Sequence, residues 1–554
     1  MEKQPRYIFV TGGVNSSLGK GITSATIGTL LESFGFKISF RKVDGYINSN
    51  AGTMNPSQHG EVYVTDDGAE TDLDLGHYSR FTNAKIDKNV IATMGSVYEE
   101  VITKEKKGEY DGDCVTVIPH VTNEIKKRIL EGHDDDVDFV IVEIGGTVGD
   151  MESMPIIEAI RQIGSSFDRD ERRVCFCHLA VIHKMQSADE FKTKPVQKSC
   201  EELRALGVSL DLLLCRIEKG VISSKLEGMA EKLSMFCNVN RRDIIYMDDT
   251  SPVYRIPVHH WNDLSKSIFR HFRMDVDFDK RNTEWLDKVS RIDVKTGSSK
   301  RIGIFGKYTD VTDSYKSIAE AIYQSAISIG IDAEIKYYGE SRDIDCDGII
   351  IPGGFGFRGV EDKEDSFLYA YYHSLPCLGL CLGLQTSVVA FAREIVGIKD
   401  ATYEEFLEER PGTPLVHLME CQKEVTERSG TMRLGAYRAN LIDSSSDFLK
   451  AYMKYGTGIN KVLVDENKQP YISERHRHRY EINNEFVPQL AEYRLKVVAV
   501  NEDGLVEAME LDSAKTSDDP WFIGTQYHPE YKSKFLYPHP LFMAFLNRIS
   551  RNEV

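Results

Sequence analysis

Tyr7-Ile-Phe-Val-Thr-Gly-Gly-Val-Asn-Ser-Ser-Leu-Gly-Lys-Gly21 is an apolar run that breaks into a glycine-rich loop carrying one lysine. The backbone N–H groups freed by Gly12, Gly13, Gly19 and Gly21 can converge on phosphate oxygens. A helix predicted to start near Ile22 turns its positive end toward the same place, and Lys20 reaches the terminal phosphates. The spacing departs from the usual phosphate loop: five residues separate Gly13 from Gly19, and Gly21 stands where a Ser or Thr would hold Mg²⁺. A metal must therefore find its ligands elsewhere. The plainer alternative is an ordinary glycine turn between a strand and a helix.

Outward from this loop, Ile38–Val43, Val115–Ile118, Phe139–Ile144, Val174–Ile182 and Leu210–Cys215 read as strands buried on both faces, alternating with helical patterns. Such alternation predicts an α/β fold with a doubly wound, mostly parallel sheet, whose ligands gather past the carboxyl ends of the strands. Those ends are unusually polar: Asp44-Gly-Tyr-Ile-Asn48, Gly145-Gly-Thr-Val-Gly-Asp-Met-Glu152, and a long loop holding Gly68-Ala-Glu-Thr-Asp-Leu-Asp-Leu-Gly76. Around 278–300 the periodicity lapses. We place a linker there, between a first domain at 1–277 and a second at 301–554. The second α/β series begins with Arg301-Ile-Gly-Ile-Phe-Gly306 and continues through a helical pattern at 314–329 to Gly348-Ile-Ile-Ile-Pro-Gly-Gly354.

At 554 residues the chain is too long for one core, which agrees with two domains. Its net charge of −18 argues against an extended nucleic-acid partner. No apolar run is long enough to span a bilayer. Ten cysteines without CxxC spacing, in a chain whose first residues lack a signal-peptide core, point to reduced thiols and a cytoplasmic setting.

The most specific chemistry lies in the second domain. In Leu375-Pro-Cys-Leu-Gly-Leu-Cys-Leu-Gly-Leu-Gln385, small residues flank Cys381 at the spacing of a nucleophile elbow, which exposes a thiol at a helix N-terminus where the thiolate is favoured. Tyr527-His528-Pro-Glu530 follows the apolar run 521–525 and supplies an imidazole with an orienting carboxylate. Pro352-Gly-Gly-Phe-Gly356 supplies backbone for an oxyanion hole, with Gly354 N–H and Leu382 N–H as the chosen donors. Each element alone could be structural; all three in order are hard to explain so.

On these residues 301–554 resembles a class I glutamine amidotransferase domain, and nearly the whole chain resembles the CTP synthase family. The likeness includes Gln58-His-Gly-Glu-Val62, Asp67-Gly-Ala-Glu-Thr-Asp-Leu-Asp-Leu-Gly-His77, Val142-Glu-Ile-Gly-Gly-Thr-Val-Gly-Asp150, Lys192-Thr-Lys-Pro195, Gly430-Thr-Met-Arg-Leu-Gly435 and Arg475-His-Arg-His-Arg-Tyr480. The resemblance implies ATP-dependent phosphorylation of UTP at uracil O4, then amination to CTP by ammonia released from L-glutamine. It also implies a homotetramer with room for filaments, GTP activation and CTP inhibition. By the same resemblance, Cys381, His528 and Glu530 are catalytic, and Gly354, Leu382, Gln385, Glu405 and Arg479 hold glutamine. A carboxylate at 405 suits the substrate's α-ammonium and a guanidinium at 479 its α-carboxylate. Ser17, Leu18, Gly19, Lys20, Gly21 and Asp74 fall in the ATP site, and Asp74 with Glu143 holds Mg²⁺, with Asp72 the nearby alternative. Ser16, Lys42, Asp150, Met151, Glu152, Lys192, Thr193, Lys194, Gln197 and Lys232 fall in the UTP and CTP sites.

The chain also departs from the family. Gly45 stands where Asp-Pro-Tyr-Ile-Asn is usual, Asp362 replaces a glycine after Arg358-Gly-Val-Glu361, His183-Lys184 replaces a more apolar stretch, and 460–469 adds residues. Asp362 lies near loops the family uses for GTP. Two other readings compete: an amidoligase with a fused glutaminase acting on another acceptor, as in the corrinoid amidases, and a non-catalytic filament-forming or regulatory paralogue. The Lys192-Thr-Lys-Pro195 run argues against the first, and the intact chemical residues argue against the second.

Overall fold

The computed structural model describes residues 4–15, 18–168, 170–185, 190–217, 223–294, 299–307, 311–339, 344–423, 432–512 and 520–551. Ser16, Ser17, Gly430 and Thr431 lie outside them. The chain divides into two compact units, 1–50 with 77–289, and 51–76 with 290–554.

The first unit is a seven-stranded sheet of β1 (Arg6–Gly12), β2 (Ile38–Asp44), β3 (Ile91–Thr93), β4 (Phe139–Ile144), β5 (Val174–Val181), β6 (Leu212–Ile217) and β7 (Ile244–Asp248), in the order β7-β6-β5-β1-β4-β2-β3. Every pairing is parallel. Continuous apolar runs produce this arrangement because both faces are covered: every residue of β4 is buried. The strand order turns back on itself at β1, so the glycine loop after Gly12 opens at the switch point, where α/β sheets take ligands.

Three expectations differ from the structure here. Residues 115–118 form no strand: Pro119 offers no N–H to a ladder, the helical turn Val117–Val121 takes over, and Val117 and Ile118 are exposed. Helix α1 (Lys20–Ser33) starts two residues before Ile22, with Gly19 as its left-handed cap at φ 93°. Residues 278–289, read as linker, belong to the first unit. Trp285 of the helix Glu284–Val289 is buried and donates from Nε1 to Tyr254 O at 2.9 Å.

The second unit is a ten-stranded sheet of β8 (Ser299–Phe305), β9 (Asp332–Tyr338), β10 (Gly348–Ile351), β11 (Cys377–Leu380), β12 (Arg433–Leu441), β13 (Leu463–Val464), β14 (Pro470–His478), β15 (Leu495–Val500), β16 (Val506–Leu511) and β17 (Phe522–Thr525). Its order is β9-β8-β10-β11-β17-β16-β15-β12-β14-β13. It is parallel from β9 to β17 and antiparallel beyond. One apolar core gathers Ile350, Leu378 and Ile523 with helix Pro540–Arg551; the other gathers Ile349, Ile351 and Phe522 with α4 (Val360–Tyr372) and α5 (Leu382–Phe391). The extra residues 460–469 form an edge hairpin, tied by Arg438 to Asp465 at 2.6 Å and by Asn460 Nδ2 to Lys532 O at 2.9 Å.

Residues 51–76, placed by the sequence reading in the first domain, pack with this second unit. Arg475 explains why: it donates to Asp66 Oδ1 at 2.6 Å and to the Tyr63 hydroxyl at 2.5 Å. The Tyr63 hydroxyl donates on to Tyr531 O at 2.9 Å, and the Tyr531 hydroxyl donates to Val62 O at 2.9 Å. Arg477 holds Glu70 at 2.9 Å. Glu61 accepts from the N–H of Ser317 at 2.9 Å, close to the start of α3 (Lys316–Ile329). The Arg-His-Arg-His run thus anchors this segment. Gly435, with φ 100°, is needed there because a side chain would come within 2.8 Å of the Gly68 N and 2.7 Å of the Asp66 O.

Candidate active site

In the second unit, β11 ends at Leu380 and α5 begins at Leu382, so the whole change of direction falls on Cys381 at φ 55°, ψ −107°. A non-glycine residue persists in such a conformation only where its surroundings enforce it. Here the Cys381 N–H donates to Thr525 O at 2.7 Å, and the flanking glycines admit a closeness no other residue allows. A side chain at Gly383 would meet Ile351 O at 2.0 Å, and one at Gly379 would meet Gly383 O at 2.9 Å. The expected elbow is present.

His528 follows β17, its N–H bound to Arg475 O at 2.8 Å, and its Nδ1 lies 2.7 Å from Glu530 Oε1. That bond fixes the ring and leaves Nε2 for the thiol. Burial by itself lowers the imidazole's pKa, but Glu530 and Cys381 outweigh it and carry it up to about 10. Both neighbours thus favour the protonated ring. All three groups are nearly closed to water.

Pro352–Gly354 runs past this pair: a side chain at Gly353 would lie 2.7 Å from His528 Cε1 and 3.5 Å from Cys381 Cβ. Gln385 donates to Tyr480 O at 2.9 Å and to Gln526 Oε1 at 3.2 Å. Arg479 donates to Gln422 Oε1 at 2.8 Å. Burial raises the Glu405 carboxyl above its ordinary range, and the Gly356 N–H, Lys307 and Arg479 pull it back, so Glu405 and Arg479 sense each other. The sequence reading missed Gln526, whose Nε2 lies 3.8 Å from Cys381 Sγ, and Lys363, whose ammonium is bound to carbonyls of the 352–354 loop. Gln526 is signalled only by standing two residues before His528; Lys363 is a charge at a buried helix position. A cavity of about 170 Å³ opens beside His528 and Gly353 and is lined on its other side by Gly52, Met54 and Val62.

In the first unit, Lys20 folds over Gly12, where a side chain would come within 2.8 Å of it, and donates to Gly146 O at 2.6 Å. The Gly13 N–H donates to Leu179 O at 2.8 Å, so it extends the sheet and is not one of the phosphate donors expected of it. Arg216 of β6 donates to Leu18 O at 3.1 Å; this second cation at the loop, one residue past the run read as 210–215, was not singled out by the sequence reading. Lys42 and Glu143 are register partners at the carboxyl ends of β2 and β4, both buried, with Lys42 Nζ 3.9 Å from Glu143 Oε1 and 3.7 Å from Asp44. The Tyr78 hydroxyl donates to Glu143 Oε2. Asp74, the other expected metal ligand, opens the helix Leu73–Phe81 and falls in the segment grouped with the second unit.

Asp150 caps its own turn, accepting from the Thr147 N–H at 3.0 Å and its hydroxyl at 2.6 Å, while Met151 and Glu152 stand exposed. Gly45 lies against Glu152, since a side chain there would approach Glu152 Cβ to 3.1 Å; the departure at Gly45 thus bears on Glu152. Lys192 ends a strand paired with His183, and Thr193 caps α2 (Lys194–Ala205) and accepts from Gln197 Nε2 at 3.0 Å. Thr193 and Gln197 are buried, whereas Lys194 and Lys232 are exposed.

A thiol, an imidazole and a carboxylate held in this way can open an amide through a covalent thioester, and residues 310–548 match the sequence profile of class I glutamine amidotransferases. The second unit therefore contains a glutamine amidotransferase domain of that class. Residues 6–274 match the profile described as CTP synthase N-terminus. The chain is 43% identical to the CTP synthase of Clostridium perfringens strain SM101 over the full length of both, and 43% identical to that of Pelobacter propionicus over 98% of both. Among solved structures, the glutaminase domain of Trypanosoma brucei CTPS with bound acivicin matches 46% of this chain and 94% of its own length at 30% identity, with a TM-score of 0.39. The chain belongs to the CTP synthase family. Among the described residues no helix is long and apolar enough to cross a membrane.

Proposed function

We propose that the chain makes CTP from UTP, ATP and glutamine. The observation that carries this reading is the buried Cys381, His528 and Glu530 set on its strained turn, within a chain of this family. The Cys381 thiolate attacks the side-chain carbonyl carbon of glutamine, and the oxyanion is taken by the N–H groups of Gly354 and Leu382. His528 gives its proton to the departing ammonia; water then attacks the thioester and releases glutamate. Glu405 and Arg479 hold the α-ammonium and α-carboxylate. The cavity beside His528 gives the ammonia a way out along Gly52 and Met54.

In the synthase unit, Lys20 and Arg216 draw the phosphates of ATP to the glycine loop, and Lys42 steadies the phosphoryl group passing to uracil O4. Ammonia then adds at C4 and phosphate leaves, giving CTP. Glu143 is a buried oxygen donor of the kind Mg²⁺ accepts, and Asp74, half-buried, is the second carboxylate that the family resemblance assigns, so the donor chemistry fits a metal whose charge would offset that of the transferring phosphoryl group. Lys192, Thr193, Lys194, Gln197 and Lys232 hold the triphosphate of UTP or CTP, with Asp150, Met151 and Glu152 beside the base or ribose of CTP. Inhibition by CTP, activation by GTP and a homotetramer complete the reading by family resemblance. Incubating the protein with ATP, Mg²⁺, glutamine and each nucleoside triphosphate in turn tests it: CTP should form with UTP alone. Glutamine-dependent ATP hydrolysis without CTP would point to another acceptor.

A further inference from the structure

Lys363 lies in the first turn of α4 and is 3% exposed, yet none of the groups that shift its pKa is a carboxylate. Burial depresses it most, Cys381 raises it, Lys307 lowers it, and the result is about 7. A buried ammonium that pairs with no carboxylate among the described residues is costly, so its contacts must justify it. Those contacts are two carbonyls of one loop: Nζ donates to Pro352 O and, at 3.1 Å, to Gly353 O. The Gly353 carbonyl and the Gly354 N–H belong to the same planar trans peptide and point from opposite edges of it. A side chain at Gly354 would lie 3.6 Å from Lys363 Nζ and 3.6 Å from Leu382 Cδ2, whereas one at Gly353 would touch His528. The peptide is therefore set between Lys363 on one side and the Cys381 and His528 pair on the other.

We propose that Lys363 is the positioning residue of the glutaminase oxyanion hole: by holding the Gly353 carbonyl it presents the Gly354 N–H to the oxyanion formed when Cys381 attacks the amide of glutamine. The inference rests on the glutaminase reading above. Lys307 treats the next stretch of the loop alike, donating to Phe355 O at 2.5 Å. Because Glu405 and Arg479 bind the ground state and the N–H acts on the transition state, loss of Lys363 should fall on kcat and spare KM.

The test compares the full-length wild type with Lys363→Met, which keeps the length and loses the donors. Lys363→Met should lower kcat for glutamine hydrolysis about 10²-fold, the loss typical of one oxyanion donor, with KM changed less than about threefold. Alkylation of Cys381 by iodoacetamide, followed on its own peptide by mass spectrometry, forms no tetrahedral oxyanion and should keep its rate within about threefold. Lys363→Arg, which restores donors, should recover at least about tenfold of kcat. A variant whose kcat is unchanged, or whose alkylation falls as far as its kcat, would overturn the proposal. A wild type that hydrolyses no glutamine would instead overturn the reading beneath it.

Discussion

The two units hold their reactive groups differently. In the glutaminase, the chemical groups bond to one another: His528 to Glu530 at 2.7 Å, and Cys381 locked by Thr525 between two obligatory glycines. In the synthase, Lys20 at the start of α1 bonds to Gly146 O and Arg216 to Leu18 O, both backbone carbonyls, while Lys42 lies beside the carboxylates of Asp44 and Glu143. The first is a machine for one covalent step, where nucleophile and base must touch before substrate arrives. Phosphoryl transfer needs little covalent chemistry from the protein; its cations meet through the phosphates and need only stand ready at the strand ends. Substitutions should divide along the same line.

The largest effect expected is at the nucleophile. Cys381→Ala should lower glutamine-dependent CTP formation by about 10⁴-fold or more while synthesis from added ammonium salts stays within about twofold of wild type. Loss of both would break the comparison, because it would make the thiol part of the synthase chemistry. Next is Lys20→Ala, which should lower synthesis from either nitrogen source by about 10²-fold, since phosphorylation precedes amination, and leave basal glutamine hydrolysis in place. Near-normal ammonium-dependent synthesis in that variant would reduce the loop to a turn.

The same division set what could be read from the chain. The elbow at Cys381 and the His528-Pro-Glu530 run were legible because their signatures are local: glycines stand two residues either side of the thiol, and the carboxylate stands two residues after the imidazole it meets. The parallel strands were legible from runs such as 139–144, but 115–118 was not, since a short apolar run bordering a proline looks alike whether buried or exposed. Residues 51–76 were assigned by sequence neighbourhood, whereas their partners Arg475, Arg477 and Ser317 lie far along the chain, where periodicity carries no information. Arg216 and Lys363 went unread for a related reason: a cation just past a strand run or inside a helix pattern shows its role only once the carbonyls it meets are known.

The smallest effect separates orientation from reaction within the glutaminase itself. Glu530→Gln keeps a side-chain oxygen that can accept from His528 Nδ1 but removes the charge that most raises the imidazole's pKa. Burial would then pull His528 down from about 10 toward its ordinary value. Thiol and base remain, so glutamine hydrolysis should fall only about tenfold to a hundredfold, well short of the loss at Cys381. The stability of the unit carries a sign that checks the cause. A histidine whose folded-state pKa lies above its unfolded value of about 6.5 binds more protons folded than unfolded between the two, so its contribution is complete below about pH 6.5 and is lost as pH rises through about 10. The thermal midpoint of wild type should therefore exceed that of Glu530→Gln most near pH 6, with the gap closing toward pH 10. A gap of constant size across that range would mean that Glu530 serves His528 as a hydrogen-bond acceptor and not as a charge. The contrast with the synthase would then lie in geometry alone.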